Sequence, residues 1–104
     1  MKIYSFEKLN TWQLPRQLVK HIYFLTKAFP NEEKFGITSK LRRAMISVSC
    51  NIAEGTTRTT FKDQVRFLEI AYSSLMKVLN CLIHPCDLEY ILESELVETR
   101  LKID

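Results

Sequence analysis

Apolar residues recur at helical spacing in four stretches of the chain, and nowhere do they alternate as in a half-buried strand. The third stretch is the most regular: Phe61, Val65, Leu68, Tyr72, Leu75, Leu79 and Leu82 step by 4, 3, 4, 3, 4 and 3. That rhythm is the seam of a coiled coil or a tight helical bundle. Phe67, Ile70, Val78 and Ile83 fall outside it, so the helix is apolar over more than the stripe of about 100° that a surface helix needs. Thr60 with Asp63 three positions on predicts the N-cap. Pro85 predicts the end, because a proline disfavours helical geometry in the residue before it.

In the second stretch Leu41, Met45, Val48 and Ile52 form one apolar stripe, and Ile46, Cys50 and Ala53 form another. This helix begins after Gly36 with Thr38 as its expected N-cap. Gly55 is expected to end it as a left-handed C-terminal cap. The first stretch carries Leu18, Ile22, Leu25 and Phe29, widened by Val19 and Tyr23 and closed by Phe29-Pro30. A helix here should begin at Pro15 or kink there. The fourth stretch runs from Leu92 to Ile103, opens near Glu93 or Ser94, and has Leu96, Val97 and Leu101 on one side. Short connections make consecutive helices antiparallel neighbours. The expected fold is therefore all-α, an up-down antiparallel four-helix bundle with a short last helix, forming one domain over residues 1–104.

Composition narrows the classes without naming a function. Two Gly and three Pro leave little punctuation for a many-stranded fold. No apolar run approaches a membrane span or a signal-peptide core. Cys50, Cys81 and Cys86 are odd in number and do not suggest a disulfide framework, so a reducing cytoplasm is the expected location. The net charge of +3 is unevenly spread. Residues 34–66 carry 7 Lys/Arg against 2 Asp/Glu, and residues 67–104 carry 3 against 7. Such a split can steer a polyanion to one face or pair the middle of one copy with the tail of another; two ordinary solvated faces would look the same.

A polar ribbon crosses the second stretch. Arg43, Ser47, Asn51 and Glu54 lie within an arc of about 80°, and Arg58 extends the line if the helix survives Gly55. It reads as a solvent face, as a satisfied network between helices or subunits, or as part of a basic surface for nucleic acid. In the network reading, Asn51 and Glu54 are at least half buried and hydrogen-bonded.

The run "TSKLRRAMISVSCNIAEGTTR", followed by "FLEIAYSSL", resembles the 23S rRNA intervening-sequence protein family of four-helix-bundle proteins. "FEKLNTW", "IYFLTKAFPNEEKFG" and "LEYI" stand where that family has similar blocks. The resemblance implies a cytoplasmic bacterial four-helix bundle assembled as a ring-shaped homopentamer. It also implies kinship with accessory factors that bind nucleic acid and a reverse transcriptase. Among its departures, Gln64 stands where members usually carry an aromatic, Glu89 takes a usual glycine position, and the last helix is short.

Nucleic-acid contacts are expected from Lys40, Arg42, Arg43, Arg58, Lys62 and Arg66, with solvated faces or intersubunit ion pairs as the competing account. Arg43, Asn51, Glu54 and Gly55 are expected to be structural. Cys81, His84, Cys86 and Asp87 fit no common zinc spacing, and neither metal nor other cofactor is expected. Cys50 is expected to be a small core residue. No phosphate loop or nucleophile–base set is present, so no enzyme is expected. The function expected is that of a non-enzymatic oligomeric protein, associated with nucleic acid or with a protein that processes it. The alternative is a structural or protein-interaction scaffold with no nucleic-acid role.

Overall fold

A computed structural model describes residues 10–103, with side chains from 13 to 102. The Phe6–Leu9 part of the first family-like block therefore lies outside the described residues. Four helices follow one another: α1 (Asn10–Thr26), α2 (Ile37–Thr56), α3 (Phe61–Asp87) and α4 (Glu93–Ile103). A 3₁₀ turn, Asn31–Glu33, lies in the connection between α1 and α2. α2 packs on both α1 and α3, and α4 rests on the end of α3. The described residues contain no strand, and the fold is a four-helix bundle.

The expected stripes of α1 and α2 form the core. Leu18, Ile22, Leu25 and Phe29 are buried, as are Leu41, Met45 and Val48. Ile52 is half-buried against the same cluster. The second stripe of α2 faces outward: Ile46 and Cys50 are exposed, and Ala53 is only partly covered. Cys50 is therefore a surface thiol, not a core residue.

In α3 the large residues of the heptad seam do not all point inward. Phe61 is 80% exposed, Leu68 52% and Tyr72 65%, whereas Leu82 is fully buried. The side that meets the core is Ala71, Val78, Leu82 and Pro85, continued by half-buried Gln64, Phe67, Ser74 and Cys81. Gln64, Phe67, Ala71, Ser74, Val78, Cys81 and Pro85 also step by 3 and 4. Small side chains let α2 approach closely there, so packing chose the less hydrophobic of two parallel seams. Of the larger seam, Val65, Leu75 and Leu79 are half-buried, and α4 is too short to cover the exposed Phe61, Leu68 and Tyr72. An 11-residue helix reaches about 16 Å, against about 40 Å for the 27 residues of α3.

Several helix boundaries depart from expectation. Pro15 sits inside α1, which begins five residues earlier. The N-cap of α2 is Gly36, and Thr38 is buried in the first turn. Thr60 does cap α3, its Oγ1 accepting the Asp63 N–H at 3.2 Å. Pro85 lies within α3, which runs on to Asp87 and is carried past the proline by the Leu88 N–H donating to the His84 carbonyl at 2.9 Å. In α4 the expected apolar side is divided, with Leu96 half-buried against the core but Val97 50% and Leu101 70% exposed, while Thr99 is fully buried. Here the Leu92 N–H donates to Glu95 Oε1 at 2.8 Å, closing the start of the helix.

Gly55 does not cap α2 in the left-handed region: neither glycine has positive φ, and α2 continues to Thr56. Gly55 is instead buried where α2 crosses α3, and a Cβ placed on it would stand 3.3 Å from Phe67 Cβ. The left-handed residue is Glu89, with φ 63°. It closes α3 in a Schellman motif, in which the Tyr90 N–H donates to the Pro85 carbonyl at 2.8 Å and the Glu89 N–H to the Cys86 carbonyl at 3.0 Å. An L-residue with a side chain held there costs about 1–2 kcal/mol.

Candidate functional site

The polar ribbon of α2 divides into two parts. Its inner edge joins helices: Ser47 Oγ lies 3.0 Å from Ser74 Oγ of α3, and Asn51 Nδ2 donates to the Ser47 carbonyl at 2.8 Å and to Ser47 Oγ at 3.1 Å. Asn51 is half-buried, as the network reading requires. Its outer edge lies in solvent. Glu54 is exposed and pairs with Arg58, so it is not the half-buried group expected from the sequence. Arg43 is exposed too and is not tied to Glu54.

Arg58 sits beyond the end of α2 but is fixed on three sides. It holds Glu54, its guanidinium lies 4.6 Å over the Phe67 ring, and its carbonyl accepts Gln64 Nε2 at 3.0 Å. Gln64 thus braces the α2–α3 turn. Arg42 is committed as well. Its Nε donates to Thr26 Oγ1 at 2.9 Å, and its guanidinium stacks 4.4 Å over the Tyr23 ring of α1. These contacts make Arg42 and Arg58 bracing groups between helices.

Lys40, Arg43, Lys62 and Arg66 are exposed and take no part in the Glu54–Arg58 and Glu98–Lys102 ion pairs. The Ser47–Ser74 and Gly55–Phe67 contacts fix an antiparallel register between α2 and α3. In that register Arg43 and Arg66 stand about 19 Å apart along the helix pair. The six expected cations therefore form two groups, Lys40, Arg42 and Arg43 at one end and Arg58, Lys62 and Arg66 at the other. Asp63 and Glu69 share a surface hollow with Lys62 and Arg66 and offset their charge.

A basic patch not anticipated from the sequence lies on α1 and α2. Arg16, Val19, Lys20, Ile46, Ser49 and Cys50 line a shallow groove between the two helices. α1 and α2 together contain five Lys/Arg and a single acid, Glu54. The linear charge distribution conceals this patch, because Glu7, Glu32 and Glu33 flank Arg16 and Lys20 in sequence but lie outside α1.

Elsewhere α4 is latched to α1 by His21 Nε2, 2.8 Å from Thr99 Oγ1. The Thr99 hydroxyl already donates to the Glu95 carbonyl at 2.9 Å, so it accepts from His21. Burial, then Lys102, holds the His21 pKa below its ordinary value against the opposing pull of Glu98 and Glu95. Tyr90 packs at a tilt of 48° against Phe29 with ring centroids 5.6 Å apart and donates to Glu33 Oε1 at 3.3 Å. Desolvation, then Glu33, raises its pKa. Cys81 and Cys86 are half-buried, while His84 and Asp87 are exposed.

These features define a small all-helical bundle protein whose polar network joins helices and whose surface carries charged groups and several large apolar ones. The chain belongs to the 23S rRNA-intervening sequence protein family, whose model matches residues 7–104. No protein of curated function matches it. Among the described residues no helix is long and apolar enough to cross a membrane.

Proposed function

We propose that this protein is a non-enzymatic homo-oligomeric scaffold of the cytoplasm, with five copies in a ring, the number its family resemblance implies. The observation that carries the reading is the bare half of the α3 seam. Leu68 and Tyr72 are more than half exposed on a helix whose heptad spacing matches that of helices with partners. The exposed Ile46 of α2 and the exposed Val97 and Leu101 of α4 add apolar surface on other sides. Light scattering on the purified chain at micromolar concentration should report a multiple of 12.2 kDa. A particle of 12.2 kDa would overturn the reading.

A second reading, binding of nucleic acid by the assembled copies, is favoured by the exposure of Lys40, Arg43, Lys62 and Arg66 outside the two ion pairs. Five copies would repeat each cation, and avidity would strengthen contacts that are weak singly. Such binding follows phosphate, tolerates sequence and weakens steeply with salt. Replacing Lys40, Lys62 and Arg66 together by Gln should abolish retention of duplex DNA or structured RNA at about 50 mM salt, where screening is weak, while leaving the oligomer intact. Failure of the unaltered protein to retain either nucleic acid under those conditions would remove this reading and leave the scaffold.

A further inference from the structure

We infer that the copies of this protein pair through unlike faces, the α1–α2 groove of one receiving the α3–α4 face of the next. This rests on the self-association reading and specifies its surfaces. The groove is basic with an apolar floor: Val19, Ile46 and Cys50 lie between Arg16 and Lys20, and Arg43 is exposed on the same helix as Ile46 and Cys50. The other face is acidic with apolar relief. Residues 83–98 contain Asp87, Glu89, Glu93, Glu95 and Glu98 and no Lys or Arg, with Arg100 and Lys102, the latter paired to Glu98, following in the last turn of α4. Ile83, Leu92 and Val97 are 44%, 67% and 50% exposed among them.

The positions of the two faces decide how they can meet. α1 packs on α2, α2 on α3, α3 on α4, and the His21–Thr99 contact returns α4 to α1. In that cyclic order the α1–α2 side and the α3–α4 side are opposite walls of one bundle. Pairing two copies about a twofold axis would set groove against groove or acidic face against acidic face. Either contact brings like charges together across an apolar seam, which is unfavourable. Groove against acidic face matches both charge and apolar surface, and it leaves a second groove and a second face free at the ends of every pair. Repeated head to tail, such contacts close into a ring when the rotation between copies allows.

Two single substitutions test this, each at an exposed position outside the core. Ile46→Glu places an acid in the basic groove, and Val97→Lys places a cation on the acidic face. Each variant keeps one intact surface but offers it no intact complement. Both should remain helical by circular dichroism and lose assembly, running at the 12.2 kDa of one chain. Mixed in equal amounts they should recombine, because the intact acidic face of the first meets the intact groove of the second. Light scattering should then report a complex of at least one copy of each. Wild-type assembly in both separate variants would overturn the inference while leaving self-association standing. Loss of assembly in both with no recovery on mixing would also overturn it. An unaltered chain that is itself monomeric would remove the self-association reading, and the inference with it.

Discussion

The two halves of α3 carry the same heptad seam and meet opposite fates. Toward the C-terminus Leu79 is half-buried and Leu82 fully buried, with α4 and α1 at hand. Toward the N-terminus Phe61, Leu68 and Tyr72 stand in solvent beyond the reach of α4. Spacing is the same; cover is not. Periodicity thus tells which residues of a helix share a face, but not whether the chain itself or another molecule supplies the partner.

The largest break in this contrast should come from equal truncations in the two halves. Leu82→Ala removes a fully buried side chain from the core and should lower protomer stability by about 2–5 kcal/mol. Leu68→Ala should change it by no more than about 0.5 kcal/mol, with any further loss confined to assembly. Urea unfolding in dilute solution, where copies are separated, measures both. A similar cost at the two sites would mean that the N-terminal seam is covered within one chain.

Gly55→Val separates the inner side of the bare half from its outer side. The first added carbon already meets Phe67 Cβ at 3.3 Å, and both atoms belong to packed backbone-proximal positions that yield little. A cost of about 1–3 kcal/mol, read as a lower thermal midpoint, is expected from overpacking. Glu89→Gly sharpens the contrast from the covered end. It relieves the left-handed strain at φ 63° and should stabilise the protein by about 1 kcal/mol. A loss of stability instead would show that the Glu89 side chain contributes more than its backbone strain removes.

The smallest effect should follow from pH. His21 titrates below its ordinary value of 6.5 in the folded chain, so the unfolded chain binds the proton first as pH falls. Stability is complete above about 6.5 and declines below it, down to the folded pKa. The loss should concentrate in α4 and make the covered half of α3 behave more like the bare one. Hydrogen exchange on α4 amides at two pH values, corrected for intrinsic rates, checks this, and His21→Gln should flatten the dependence.

Much of the fold was legible because its causes are local or large. The α1 and α2 stripes are rows of Leu, Ile, Met and Val, and the Thr60 cap is a four-residue signal. The inner side of α3 was not, since Ala71 and Ser74 score poorly for hydrophobicity and matter through the close approach they permit, and Gln64 matters through its hydrogen bond to the Arg58 carbonyl. Gly55 beside such small residues was the available sign of a helix crossing. From sequence alone it signals a cap, because left-handed geometry is the commoner demand on a glycine near a helix end. The six expected cations were legible as residues but not as a site. Arg42 and Arg58 are drawn into bracing contacts by aromatic rings, Tyr23 and Phe67, distant in sequence. Arg16 and Lys20 emerge only when α1 and α2 are set side by side.

The short α4 also imposes an order in time. Helices α1 to α3 pack on their neighbours in sequence, and such local connections favour fast folding. During synthesis the segments made first can settle as units before the rest emerges. The α3–α4 face lacks Leu92 and Val97 until that stretch has left the ribosome and α4 has docked through Thr99 on His21. A nascent chain would thus offer its groove before its acidic face, and finished copies would be the ones able to fill it.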